Sequence, residues 1–91
     1  MELECAVEIG NKYGLHARAS TRLAQVAKQF QSAIRVSRVG EDEEVDAKSI
    51  LGILTLGVAR GQTLRIRVSG EDADTAMAAV VDLVQKNFLE E

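Results

Sequence analysis

The stretch Thr63-Leu64-Arg65-Ile66-Arg67-Val68 alternates without a break between polar and apolar side chains. A period of two marks a strand with one buried face and one solvated face, so Leu64, Ile66 and Val68 point inward while Thr63, Arg65 and Arg67 point outward. Working outward, the N-terminal segment repeats the pattern: Leu3, Cys5, Val7 and Ile9 alternate with Glu2, Glu4, Ala6 and Glu8. Cys5 falls on the apolar side and reads as a small core residue rather than a reactive thiol. Ile34 and Val36 alternate with Ala33, Arg35 and Ser37 for a further strand. After Gly40 and the acidic run Glu41-Asp42-Glu43-Glu44, read as a solvated loop, a short strand passes through Val45.

Between these strands the period lengthens. From Ala17 to about Gln31, the residues Ala19, Leu23, Val26, Ala27 and Phe30 form one stripe of an amphipathic helix. Ser49 begins a short helix over Ile50 to Leu56, with Gly57 in the usual stopping position. Gly70-Glu71-Asp72 leads into a last helix whose buried stripe is Ala73, Ala76, Met77, Val80, Leu83 and Val84, ending near Phe88. The order βαββαβα calls for an α+β fold, an open-faced two-layer sandwich. A four-stranded, mainly antiparallel sheet is covered on one face by three helices, and the other face meets water. No linker or internal repeat divides the chain, so residues 1-91 are expected to form a single domain.

Composition excludes several classes of function. Eleven Lys and Arg stand against fourteen Asp and Glu, with 3% aromatic residues, and no basic cluster offers a nucleic-acid platform. One cysteine allows no internal disulfide, and one histidine with one cysteine cannot build a structural zinc site. No apolar run approaches the roughly 20 residues of a membrane span. The start, Met1-Glu2-Leu3-Glu4, is acidic where a signal peptide would be basic, so the expectation is a soluble intracellular protein with no direct membrane insertion.

The single histidine, His16, stands immediately before the first helix in Gly14-Leu15-His16-Ala17-Arg18-Ala19-Ser20. The first turn of a helix carries unpaired N–H donors and a partial positive charge, and such a terminus binds anions, phosphate among them. An imidazole there can accept a phosphoryl group that the amides then cradle, and Arg18 could add a fork of donors. The residues alone leave a second reading open, in which His16 is a surface residue or cap and Arg18 a solvated helix residue. Ser49 likewise reads first as an ordinary N-cap. In the short helix, Ile50, Leu51, Ile53 and Leu54 are too many apolar residues for one narrow stripe, so part of them should form an exposed patch.

Gly14-Leu15-His16-Ala17-Arg18-Ala19 resembles the active-site motif of the HPr family, the histidine-containing phosphocarrier proteins of the phosphoenolpyruvate-dependent sugar phosphotransferase system. Lys48-Ser49-Ile50, with Gly52, Ile53 and Thr55-Leu56-Gly57, is similar to the family's segment around its regulatory serine. The resemblance covers the whole chain. It implies that His16 takes a phosphoryl group on Nδ1 from phosphorylated enzyme I and passes it to enzyme IIA domains, with Arg18 neutralising charge. It implies phosphorylation of Ser49 by HPr kinase/phosphorylase, and partner-facing roles for Leu51, Leu54 and Thr55 beside Ala19, Ser20 and Leu23. Such a protein is a carrier rather than an enzyme, bacterial, cytoplasmic and suited to acting as a monomer. It uses no cofactor and no metal of its own; magnesium belongs to the enzyme I and serine-kinase steps.

Ala19 departs from the pattern, since many family members carry proline directly after the arginine. That departure keeps open an alternative in which the carrier serves a regulatory, non-transport phosphotransferase chain. A different class, a small ligand-sensing regulatory α+β module, would leave His16 without a special role. An independent enzyme is disfavoured because no second acid–base partner for His16 and no glycine-rich phosphate loop is legible.

Overall fold

The computed structural model describes residues 1–90. Strand β1 (Glu2–Glu8) is followed by helix α1 (Ala17–Ala27), strands β2 (Ala33–Arg38) and β3 (Val45–Asp46), helix α2 (Ile50–Thr55), strand β4 (Thr63–Ser69) and helix α3 (Ala73–Gln85). A terminal 3-10 turn, Asn87–Leu89, closes the described chain. The sheet runs β1-β4-β2-β3, and every pair is antiparallel, with Cys5 opposite Ile66 and Ile66 opposite Val36.

The alternation read in the sequence sets which face is covered. Leu64, Ile66, Val68, Ile34 and Val36 are buried under the helices, while Arg65, Arg67 and Arg35 stand on the open face. Small residues (Ala19, Ala24 and Ala27 on α1, Ala73 and Ala76 on α3) line the buried sides of the helices, and Leu23, Ile53, Val80, Leu83 and Phe88 join them in the core. Each fully buried large side chain contributes about 1.5–3 kcal/mol. The open face is laced with ion pairs. Arg67 reaches Glu44 at 2.8 Å and Glu2 at 3.0 Å, and Arg65 reaches Glu4 at 3.5 Å.

Several boundaries and placements differ from the sequence reading. Helix α1 stops at Ala27, not near Gln31. Gln29 and Phe30 already bond three residues back, to Val26 and Ala27, and Asp72 takes the amides of Gln31 and Ser32 at 2.9 Å each. Asp72 also accepts from the Ser32 hydroxyl, and these bonds, the Ser32 hydroxyl foremost, hold its carboxyl below the usual carboxylate range. Gly70 makes this junction possible: at φ 151° it lies so near Ser32 that an added Cβ would stand 2.7 Å from the Ser32 Cα.

Cys5 lies on the inward side but is half-buried and outside the core proper, because β1 is an edge strand. Glu44 leaves the solvated loop to pair with Arg67, and Ser37, on the outward face, is buried in a depression lined also by Glu4 and Arg65.

Candidate functional site

The loop before α1 is built against a segment far away in the sequence. Leu15 donates its amide to the Val58 carbonyl at 3.0 Å and buries its side chain. Gly14, at φ 63°, passes so close to this segment that a Cβ would stand 2.9 Å from the Ala59 Cα. Asn11 locks the loop from within, donating Nδ2 to the Gly14 carbonyl at 2.7 Å. Ser20, on the first turns of α1, donates its hydroxyl to the Leu15 carbonyl at 3.1 Å.

His16 is thereby delivered as the N-cap of α1. Its backbone is extended (φ −73°, ψ −178°), its carbonyl accepts from Ser20 N–H at 2.8 Å, and its Nδ1 accepts from Arg18 N–H at 3.1 Å. The side chain is 28% exposed, so the ring is seated yet reachable. Nδ1 stands at the positive end of an 11-residue helix, where an anion bonded to it would meet backbone donors. Tyr13 sets an edge-on ring against the imidazole, with centroids 6.1 Å apart.

The other ring nitrogen meets a residue that sequence reasoning missed. Nε2 of His16 pairs with the carboxylate of Glu90, whose second oxygen accepts from Asn11 Nδ2 at 3.0 Å. The expectation of no acid–base partner for His16 is therefore overturned. Glu90 arrives through Asn87, Phe88 and Leu89, three successive residues with φ of 55°, 57° and 65°. Left-handed backbone costs such residues about 1–2 kcal/mol each. The fully buried Phe88 ring and a 2.6 Å bond from Arg22 Nη1 to the Phe88 carbonyl hold the turn in place. Burial works against ionising Glu90, but the hydrogen bonds from Asn11 and His16, with the positive charge of Arg18 nearby, outweigh it, and its pKa lies below the ordinary value. A sequence shows none of this, since only Asn among these three residue types is at ease with positive φ.

Around His16 lies an open depression whose charged rim is Lys12, Arg18, Arg22, Arg60 and Glu90. Four cations against one carboxylate favour a dianionic group beside the ring. Arg18 is exposed on this rim, as its place after His16 suggested. Lys12, Arg22 and Arg60 join it from three other parts of the chain, and nothing in the sequence signalled that meeting. Among the described residues, no group of three His, Cys, Asp or Glu side chains is arranged to hold a metal ion.

Ser49 is the N-cap of α2, accepting Gly52 N–H at its hydroxyl at 3.0 Å, and it is exposed. It does not line the His16 depression. Of the four apolar residues of α2, Ile53 is buried and Ile50 half-buried, whereas Leu51 is 76% and Leu54 37% exposed, with Thr55 exposed beside them. Ala19, Ser20 and Leu23 are a correction. All three are fully buried, Ala19 and Leu23 in the core stripe of α1 and Ser20 through its bond to Leu15, so none offers surface to a partner.

Comparison with known proteins agrees with this architecture. Residues 3–86 match the family model described as the PTS HPr component phosphorylation site. The chain is 43% identical to the phosphocarrier protein HPr of Xylella fastidiosa, over 98% of both chains. It is 42% identical to the phosphocarrier protein NPr of Shewanella violacea, over 96% of this chain and 93% of that one. The crystal structure of HPr-C-His from Thermoanaerobacter tengcongensis superposes with a TM-score of 0.90 at 42% identity, covering 98% of each chain.

Proposed function

The chain belongs to the HPr family, the phosphocarriers of the phosphotransferase system, and from that premise we propose that His16 is its phosphoryl-bearing residue. In this reading Nδ1 of His16 takes the group from phosphorylated enzyme I and yields it to enzyme IIA domains. The Nδ1–P bond forms as the donor's P–N bond breaks, and the bonding pair returns to the donor's nitrogen. Nδ1 is the acceptor because it holds a lone pair, and Arg18 N–H already points at it. That single contact carries the proposal. Once phosphorylated, the same amide and the Arg18 guanidinium meet phosphoryl oxygens, and transfer rests on positioning and charge neutralisation. No step makes the chain an enzyme in its own right; its turnover depends on partners.

Ser49 is the proposed target of HPr kinase/phosphorylase. A phosphate on its hydroxyl would sit at a helix start, where two negative charges are tolerated. Leu51, Leu54 and Thr55 form the proposed docking surface: they are exposed and partly apolar, while Ile53 of the same helix is buried. A small patch of this kind suits partners that must separate quickly. The 1-91 segment acts as one cytoplasmic domain, a monomer between encounters.

A second reading, service in a regulatory rather than a sugar-transporting chain, is favoured by Ala19 at the position after Arg18. Incubation with phosphoenolpyruvate, magnesium and enzyme I tests the common core. One acid-labile phosphoryl group should appear by mass and be absent from His16→Ala; no gain with a competent enzyme I overturns the proposal. Presenting the phosphorylated protein to sugar-specific enzyme IIA domains then separates the two chains.

A further inference from the structure

The His16 ring is held by two contacts on opposite sides. Nδ1 accepts from Arg18 N–H at 3.1 Å, so Nδ1 carries no proton in this arrangement. The proton of the neutral ring therefore resides on Nε2, and Nε2 faces the Glu90 carboxylate. Which nitrogen of a histidine is protonated is set by the bond the other one makes.

Glu90 is itself built in rather than loosely placed. Its side chain is 14% exposed, and Asn11 bonds its other oxygen at 3.0 Å while bonding Gly14 of the histidine loop at 2.7 Å. The turn that presents it runs through three consecutive left-handed residues, clamped by Arg22 and by the buried Phe88. Backbone of this kind persists only where the surroundings enforce it, and it gathers at functional sites.

We infer that Glu90 is a positioning residue for phosphoryl transfer: it fixes the proton of His16 on Nε2, leaves Nδ1 unprotonated with its lone pair held only by the Arg18 amide, and balances the ring's positive charge once Nδ1 is phosphorylated. The inference rests on His16 being the phosphoryl acceptor, and the charge balance supports it. When the Nδ1 lone pair forms the N–P bond, no proton moves; the ring keeps its Nε2 proton and becomes cationic. A carboxylate already bonded to that N–H stabilises this state more than the neutral ring, which is the condition for lowering a barrier. Asn11 acts behind Glu90 as the bolt between the two ends of the chain.

The test uses the full chain, with Glu90→Ala and Glu90→Gln compared to the parent by nitrogen NMR of the imidazole, before any phosphorylation. The parent should show a protonated Nε2 and an unprotonated Nδ1. In Glu90→Ala both nitrogens should move toward averaged shifts as the two tautomers exchange. In Glu90→Gln the carboxamide oxygen still accepts from Nε2–H, so the tautomer should be retained without the charge. Uptake from phosphorylated enzyme I should fall about tenfold in Glu90→Ala, the lower end of the roughly 10–100-fold loss seen when the carboxylate orienting a metal-bound imidazole is removed, with Glu90→Gln in between. Backbone amide spectra identify a variant that has failed to fold. An unchanged tautomer in folded Glu90→Ala would overturn the inference and leave the Arg18 amide alone in control. If the parent itself takes up no phosphoryl group from a competent enzyme I, the carrier reading fails, while the tautomer measurement stands separately.

Discussion

Gly14 and Ala59 lie closer together than any side chain would allow: a Cβ on Gly14 would stand 2.9 Å from the Ala59 Cα. The contact fastens the histidine loop to the turn before β4, with the Leu15–Val58 hydrogen bond beside it. Gly14→Ala therefore meets both a positive φ of 63° and backbone that cannot retreat. A loss of about 1–3 kcal/mol in urea unfolding is expected, together with slower phosphoryl uptake. Wild-type stability in this variant would mean that the two loops separate freely.

Leu51 and Ile53, two residues apart on α2, should respond in opposite ways. Ile53 is buried, and Ile53→Ala should lower stability by about 2–5 kcal/mol. Leu51 projects into water, so Leu51→Glu should leave unfolding within about 0.5 kcal/mol yet weaken binding to enzyme I or an enzyme IIA domain in a titration. Unaltered affinity for every partner would remove α2 from the docking surface.

Ser49 serves two roles through one oxygen. As a cap its removal in Ser49→Ala should cost about 1 kcal/mol. Incubation with ATP and HPr kinase should give an acid-stable phosphate on the parent and none on Ser49→Ala. A phosphate that persists in the variant places the modification elsewhere.

Asp72 gives the fold an acid-sensitive joint. Its carboxyl titrates below its usual range in the folded protein, so folding is favoured by the ionised form. That contribution is fully present above the unfolded value of about 3.9 and disappears as pH falls through the lower folded value. Urea midpoints of the parent and of Asp72→Ala should differ clearly at neutral pH and converge in acid. A gap that persists well below the folded value would mean that neutral Asp72 holds Ser32 equally well.

Much of this architecture was legible because neighbouring residues wrote it. The alternation of Leu64-Arg65-Ile66-Arg67-Val68 fixed both the strand and its buried face, and the stripe of Ala19, Leu23 and Ala27 fixed the inner side of α1. That stripe also outranked the family resemblance, which had turned Ala19 and Leu23 toward partners. What escaped was long-range. The end of α1 is decided by Asp72, forty-one residues beyond Gln31, and the second partner of His16 comes through a left-handed turn that no periodicity announces. His16 and Arg18 were readable as a site because they share one helix end; Glu90, Asn11 and Arg60 reach it only through the fold.

The turn at Asn87–Leu89 bears on how the protein should be handled in the laboratory. Because it brings Glu90 to the imidazole, a purification handle or fluorescent fusion attached on this side begins close to the very side chain that holds the ring. Met1, by contrast, lies at the far end of β1, a seven-residue strand spanning roughly 23 Å. Fusions at that end begin away from the histidine's surroundings, and phosphoryl-transfer rates compared between the two placements measure what an extension beside Glu90 does.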